Sequence, residues 1–225
     1  MAVFPMFIEL EEEICLIIGG GRVALRKAET LLDMGAYIHI ISCTFVPEIR
    51  ALEAEGGLEC HEVSEGTLSA AVWLETHMKK EGIGKAAMLV CATSDLELNH
   101  QLALWGKKHR IPVNSATSGE DCDFYFPSVV RRGNLTVGVS TGGRTPALAH
   151  LVNQQIQETL PDWYDVLEAT GKTARGQVHR ATENSLERRV IMQKVLKAAL
   201  EDEGRLTSED IARVIQESRT GSSDV

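Results

Sequence analysis

Three consecutive glycines, Gly19-Gly20-Gly21, separate the apolar run Ile14–Ile18 from a segment with Val23, Ala24, Ala28, Leu31 and Leu32 spaced for one helical face. A short continuous apolar run reads as a strand buried on both sides of a parallel sheet. The segment Gly19–Ala24 fits G-x-G-x-x-A and lies directly between that strand and that helix. In this setting the first glycine makes the turn, and the second admits a pyrophosphate to the backbone. The small last residue lets helix and strand pack closely, and the helix N-terminus attracts the phosphate charge. The spacing therefore predicts dinucleotide binding by Gly19, Gly21, Arg22 and Val23. A plain strand–helix turn would use the same residues.

Further strands are expected at Ile38–Ile41, Leu58–Val63, Met88–Ala92 and Ile111–Asn114, with helices at Pro47–Glu55 and Asp95–His109. This alternation implies βαβ units and a Rossmann-like parallel sheet. Thr76–Lys85 reads as an exposed insertion. The pattern changes after residue 115. Ser128–Val130 and Leu135–Ser140 flank a Gly133-Asn134 turn as an antiparallel hairpin. Thr145-Pro146 opens a helix. Trp163–Ala169, Ser185–Glu203 and Ser208–Gln216 read as helical, with Thr207 or Ser208 capping the last and a frayed tail after Thr220. The fold class is thus α/β, with a nucleotide-binding domain over 1–115, a dimerisation and substrate region over 116–150, and a helical domain over 151–225. No internal repeat is present.

By topology the carboxyl ends of the strands share one crevice. Ser42, Cys43 and Thr44 would reach the adenosine, Thr93 the same crevice, and Asn114 the nicotinamide. Asp95 is placed to cap a helix. The second strand ends without the acidic residue that grips a ribose hydroxyl and without an arginine for a 2′-phosphate, so the motif alone leaves NAD and NADP open.

Charge narrows the partners. The 225 residues carry 23 Lys and Arg against 32 Asp and Glu, a net charge of −9, which disfavours nucleic acid and anionic membranes. Phe124–Gln157 nonetheless contains no Asp, Glu or Lys; its charges are Arg131, Arg132 and Arg144. Such a window suits an anion, though buried strands would also exclude acids. Lys172–Lys197 adds seven basic residues against Glu183 and Glu187. The five cysteines are scattered and odd in number, which suggests reduced thiols and a cytoplasmic location. No apolar run approaches the roughly 18–20 residues of a membrane span, and the acidic N-terminus does not resemble a signal peptide. The histidines are dispersed. His39 reads as packed within a strand, and Cys60-His61 point to opposite faces, so no metal site is expected.

The stretches Phe4–Phe7, Gly19–Lys27 (GGGRVALRK), Cys91–Asn99 (CATSDLELN) and Cys122–Ala149, with FPSVVRRG and STGGRTP, resemble the precorrin-2 dehydrogenase family, the N-terminal module of siroheme synthases. The resemblance runs along nearly the whole chain. It implies NAD-dependent oxidation of precorrin-2, an octacarboxylate tetrapyrrole, to sirohydrochlorin on the route to siroheme, cobalamin or alternative haem. It also implies a homodimer, with NAD contacted at Arg22-Val23 and Cys43-Thr44. Some members also insert ferrous iron or cobalt. Arg131, Arg132, Ser140, Thr141 and Arg144 would meet substrate carboxylates, since a planar guanidinium bonds two oxygens at once. A relative carries a phosphorylated serine where Thr141 stands.

One departure matters. The family's general acid/base aspartate corresponds to Thr117, followed by Ser118, and neither hydroxyl can act as a carboxylate. Asp121 could take its place from downstream, Asp123 being the more structural of the two. Oxidation could need no protein base, or the chain could bind the macrocycle without fast turnover. The same loss weakens a chelatase reading and leaves room for a separate chelatase. A short-chain dehydrogenase is excluded, since no tyrosine has a lysine four residues on. A nucleotide sensor gives no reason for the arginine window, and a tetrapyrrole carrier gives none for the glycine turn.

Overall fold

The structure, a computed structural model, describes residues 3–64, 72, 74–76 and 86–220. Most of the segment expected as an insertion, and the tail beyond Thr220, lie outside them. The chain forms two compact units, Met1–Phe126 and Pro127–Val225.

In the first unit the elements run β1 (Ile14–Ile18), α1 (Arg22–Leu32), β2 (Tyr37–Ser42), α2 (Pro47–Ala54), β3 (Leu58–Glu62), β4 (Met88–Cys91), α3 (Leu96–Lys108) and β5 (Val113–Ser115), then a 3-10 turn at Gly119–Asp121. All strands are parallel, in the order β3-β2-β1-β4-β5. The chain winds outward from β1 to β3, then returns to the other side of β1. This reversal opens a crevice at the carboxyl ends of β1 and β4, where doubly wound sheets take their ligands. Alternating side chains feed two cores. Ile17, Ile38, Ile40 and Val90 pack with Ala24 and Ala28 of α1, while Leu16, Ile41, Leu89 and Val113 pack with Leu102 and Trp105 of α3.

β5 begins at Val113, later than its apolar pattern suggests, because Pro112 has no N–H to give a ladder. The unit also extends past residue 115. Asp123 exchanges two bonds with Val113, its N–H to the carbonyl at 2.8 Å and its Oδ2 from the N–H at 3.0 Å. Asn114 Nδ2 holds the Phe124 carbonyl at 2.9 Å. These contacts fasten 116–126 to the sheet.

In the second unit β6 (Ser128–Arg132) and β7 (Leu135–Val139) form an isolated antiparallel hairpin, followed by α4 (Pro146–Thr159), α5 (Tyr164–Ala181), α6 (Ser185–Glu201) and α7 (Ser208–Thr220). The last three helices share a core of Ala174, Val178, Ile191, Val195, Ile211 and Ile215. α5 runs well past Ala169 despite Gly171 and Gly176. A Cβ at 171 would stand 3.4 Å from Leu196, so packing against α6 outweighs the low helix propensity. Thr207 caps α7, its Oγ1 accepting from Asp210 N at 3.2 Å.

Candidate functional site

The glycine turn is held from two sides. A Cβ on Gly19, whose φ is +120°, would lie 2.4 Å from the Ala92 carbonyl oxygen; one on Gly20 would lie 1.9 Å from that of Thr44. Gly20 also accepts from Val46 N at 2.8 Å, which ties the turn to the loop after β2. Gly21 differs: nothing lies within 4 Å of its Cβ direction. It begins α1, which has no side-chain cap and no acid in its first turn. The amides of Gly21, Arg22, Val23 and Ala24 therefore have no side-chain acceptor among the described residues, which fits a bound phosphate. Arg22 and Val23 are exposed at the same place.

Ser42, Cys43 and Thr44 follow β2, with Cys43 and Thr44 exposed and Ser42 Oγ 3.4 Å from Thr44 N. In register with Ser42 on β3 stands Glu62. Its carboxylate, with that of Glu53, holds Arg50, both at 2.8 Å, while the guanidinium lies 4.2 Å from the Phe45 ring centre.

At the ends of β4 and β5 one buried amide organises the site. Asn99 Oδ1 accepts from Thr93 Oγ1 at 2.7 Å, and its Nδ2 donates to the Thr93 carbonyl at 3.0 Å and to Thr117 Oγ1 at 3.1 Å. Ser115 Oγ completes the chain 3.2 Å from Thr117. Cys122 Sγ accepts from Ser115 N at 3.2 Å, and burial pushes its thiol pKa up. Asp95 caps α3, accepting from Leu98 N at 3.0 Å. Asn114 is mid-strand rather than terminal, and its amide is engaged with Phe124 O. It faces the α1 side and acts as a fastener of 122–124, not as a group at the strand's end.

Asp121 is buried and lies 2.9 Å from His100 Nδ1 of α3. A carboxylate oxygen only accepts, so Nδ1 carries the hydrogen and Nε2 is left as the basic atom. His100 is half exposed. A buried carboxylate orienting an accessible imidazole is a proton-accepting arrangement. Gly20, Asn99 and His100 are absent from the sequence-based site. Asn99 and His100 sit on a helix whose pattern signals only its apolar face, and their partners lie 18 and 21 residues away.

In the second unit Arg131 and Arg132 are neighbours on β6 and so face opposite sides of the hairpin. Arg132 shares its face with buried Val130, and its Nε lies 3.9 Å from Asp162. The two arginines are not one surface. Gly142 and Gly143, at φ +62° and +75°, turn the chain into α4. Ser140 Oγ accepts from Gly142 N at 3.1 Å and Thr141 Oγ1 from Thr145 N at 3.0 Å. Thr145 sits at the cap position of α4 without capping it, and that first turn carries no acid, leaving amides beside exposed Arg144. Between α5 and α6, Arg175, His179, Arg188 and Arg189 line a depression of about 440 Å³.

A model of the family described as "Putative NAD(P)-binding" matches residues 6–128. The chain belongs to this family. The matched span contains the glycine turn and the whole five-stranded sheet of this NAD(P)-binding member. Among curated relatives it is 32% identical over 197 residues to the siroheme synthase of Nitrosomonas eutropha, covering 88% of the chain and 39% of that protein. It is 33% identical over 221 residues to the siroheme synthase of Methylococcus capsulatus, covering 96% of the chain and 43% of that protein. The chain thus spans about two fifths of the length of these relatives. A solved structure, "SirC, precorrin-2 dehydrogenase", shares the fold of the NAD(P)-binding chain at a TM-score of 0.61 and 22% identity, covering 97% of this chain and 100% of that one.

Proposed function

We propose that the chain acts in siroheme biosynthesis as an NAD-dependent dehydrogenase, converting precorrin-2 to sirohydrochlorin. The observation that carries this reading is the uncapped, acid-free glycine turn at the β1/β4 reversal, in one unit with the Asp121–His100 pair. The likeness to siroheme synthases supports the pathway, and the fold shared with a precorrin-2 dehydrogenase supports the reaction class.

The α1 amides and Gly21 would hold the pyrophosphate, Ser42 to Thr44 the adenosine, and Thr93 and Thr117 would line the nicotinamide end. A bound nicotinamide would supply the hydride acceptor. His100 Nε2 would take the accompanying proton, and the buried Asp121 carboxylate would stabilise the resulting imidazolium. One hydride and one proton leave, so the balance is precorrin-2 and NAD⁺ to sirohydrochlorin, NADH and H⁺. In this reading Asp121, one of the alternatives for replacing the missing acid, serves as the orienting partner, a role that its burial supports.

NAD is favoured over NADP because Arg50 is already neutralised by Glu53 and Glu62, and a 2′-phosphate near the end of β2 would meet the Glu62 carboxylate. Arg144, the α4 amides and a hairpin arginine would bind substrate carboxylates. The hairpin, whose strands pair only with each other among the described residues, and exposed Leu148 and Leu151 on α4 support a homodimer. Five free cysteines agree with a reducing, cytoplasmic setting. With Thr117 at the aspartate position, metal insertion falls to a separate chelatase.

The test is purified chain with precorrin-2 and NAD or NADP, followed by sirohydrochlorin and NADH absorbance. Turnover with NAD is expected, and Glu62→Gln should improve the use of NADP. Tight binding of precorrin-2 without any NADH would overturn the enzymatic reading.

A further inference from the structure

His39 of β2 and Glu59 and His61 of β3 project from one face of the sheet. Glu59 pairs in register with His39, and His61 with Ile41, the residue two beyond His39. Parallel neighbours of this kind bring alternate side chains together. His39 Nδ1 lies 3.0 Å from His61 Nε2 and 3.4 Å from Glu59 Oε2, and that oxygen lies 3.8 Å from His61 Nε2. The imidazoles are largely buried, at 12% and 17% exposed, while Glu59 is 68% exposed. Sequence reading weighed His61 against adjacent Cys60, which faces the other side; the relevant neighbour is across the ladder.

We propose that these three residues bind one divalent transition-metal ion of the zinc class. The centre of the circle through the three atoms is about 2.0 Å from each, matching the roughly 2.0–2.2 Å bonds of zinc to imidazole and carboxylate. Two imidazoles and one carboxylate form a zinc donor set that leaves a fourth position for water. Magnesium and calcium prefer all-oxygen surroundings and are disfavoured here. The ion would cross-link edge strand β3 to β2, away from the β1/β4 reversal, and so stabilise the fold rather than act on substrate.

The test is titration of chelator-stripped, untagged chain with Co²⁺, read by visible absorption, followed by Zn²⁺ displacement and measurement of bound metal. One equivalent with a tetrahedral cobalt spectrum, displaced by zinc, is expected. His39→Gln and His61→Gln should abolish it. Glu59→Gln should weaken it by more than the roughly 10–100-fold that follows loss of a group that only orients a ligand. Because Glu59 is exposed, that variant tests the site without burdening the fold, and far-UV circular dichroism checks all three. No bound equivalent, or binding unchanged in Glu59→Gln and either histidine variant, would overturn the proposal.

Discussion

His100 Nδ1 donates to Asp121 Oδ1 at 2.9 Å, so a helix side chain and a 3-10 turn after β5 share one proton-bearing contact. The buried member is the carboxylate and the accessible member is the imidazole. In the proposed reaction, His100→Ala should lower kcat by about 10²–10⁴, the usual contribution of a general base. Asp121→Asn should lower it through the wrong imidazole tautomer. NAD affinity, measured by fluorescence or calorimetry, should be unchanged in both. Full activity in His100→Ala would show that oxidation proceeds without this base.

The glycines of the turn should separate by substitution. Gly20→Ala drives a methyl to 1.9 Å from the Thr44 carbonyl and should cost stability, on the order of 1–3 kcal/mol, in a denaturant melt. Gly21→Ala meets nothing within 4 Å and should melt close to the parent. It should nevertheless weaken NAD binding at least about tenfold, because the methyl enters the space meant for phosphate. Equal NAD affinity in Gly21→Ala would move the pyrophosphate elsewhere.

Thiol labelling should report the crevice. Cys43 is exposed beside the end of β2, whereas burial pushes Cys15 and Cys91 up to about 12 and Cys60 up to about 11. At pH 8, Cys43 should react first with a maleimide, and Cys15 and Cys91 should stay silent until unfolding. Saturating NAD should slow the Cys43 reaction; an unchanged rate would place the adenosine away from this loop.

Lys27 makes a pH prediction. Burial, with Arg26 nearby, lowers its pKa to about 8, and its ammonium sits 3.6 Å from the Phe126 ring centre. A lysine that loses its proton earlier in the folded chain than in the unfolded one leaves the unfolded state binding more protons between pH 8 and 10.5, so stability rises with pH there. From pH 8 to 9 the Lys27 contribution should be about 0.5–1 kcal/mol after allowing for solvent screening. The thiols of Cys15, Cys60, Cys91 and Cys122, raised by burial, act in the opposite sense over the same range. The Lys27 contribution is therefore read as the difference between parent and Lys27→Met in thermal melts, which should shift in the parent's favour between pH 8 and 9.

The sheet was legible because β1 and β4 are continuous apolar runs and the first is punctuated by glycine. The fold of the first unit follows from periodicity with only terminal adjustments, as at Pro112. The candidate site could be sought in the sequence where its chemistry is local: Gly19 and Gly21 stand in one turn after β1, and Thr117 in another short loop after β5. Asn99 and His100 were not, since a polar residue on a helix carries no mark of which loop will fold back onto it. Arg131 and Arg132 looked like one patch because adjacency in sequence hides the pleat. The His39–His61 approach was hidden for the same reason, being a matter of strand register.

Asn99 also bears on what position 117 can accommodate. Its Nδ2 already points at the oxygen of residue 117. A carboxylate introduced there by Thr117→Asp would inherit a ready-made donor and a rigid seat. The scaffold around residue 117 thus already holds the fitting that an acid there would need, and gaining one would ask no other side chain to move.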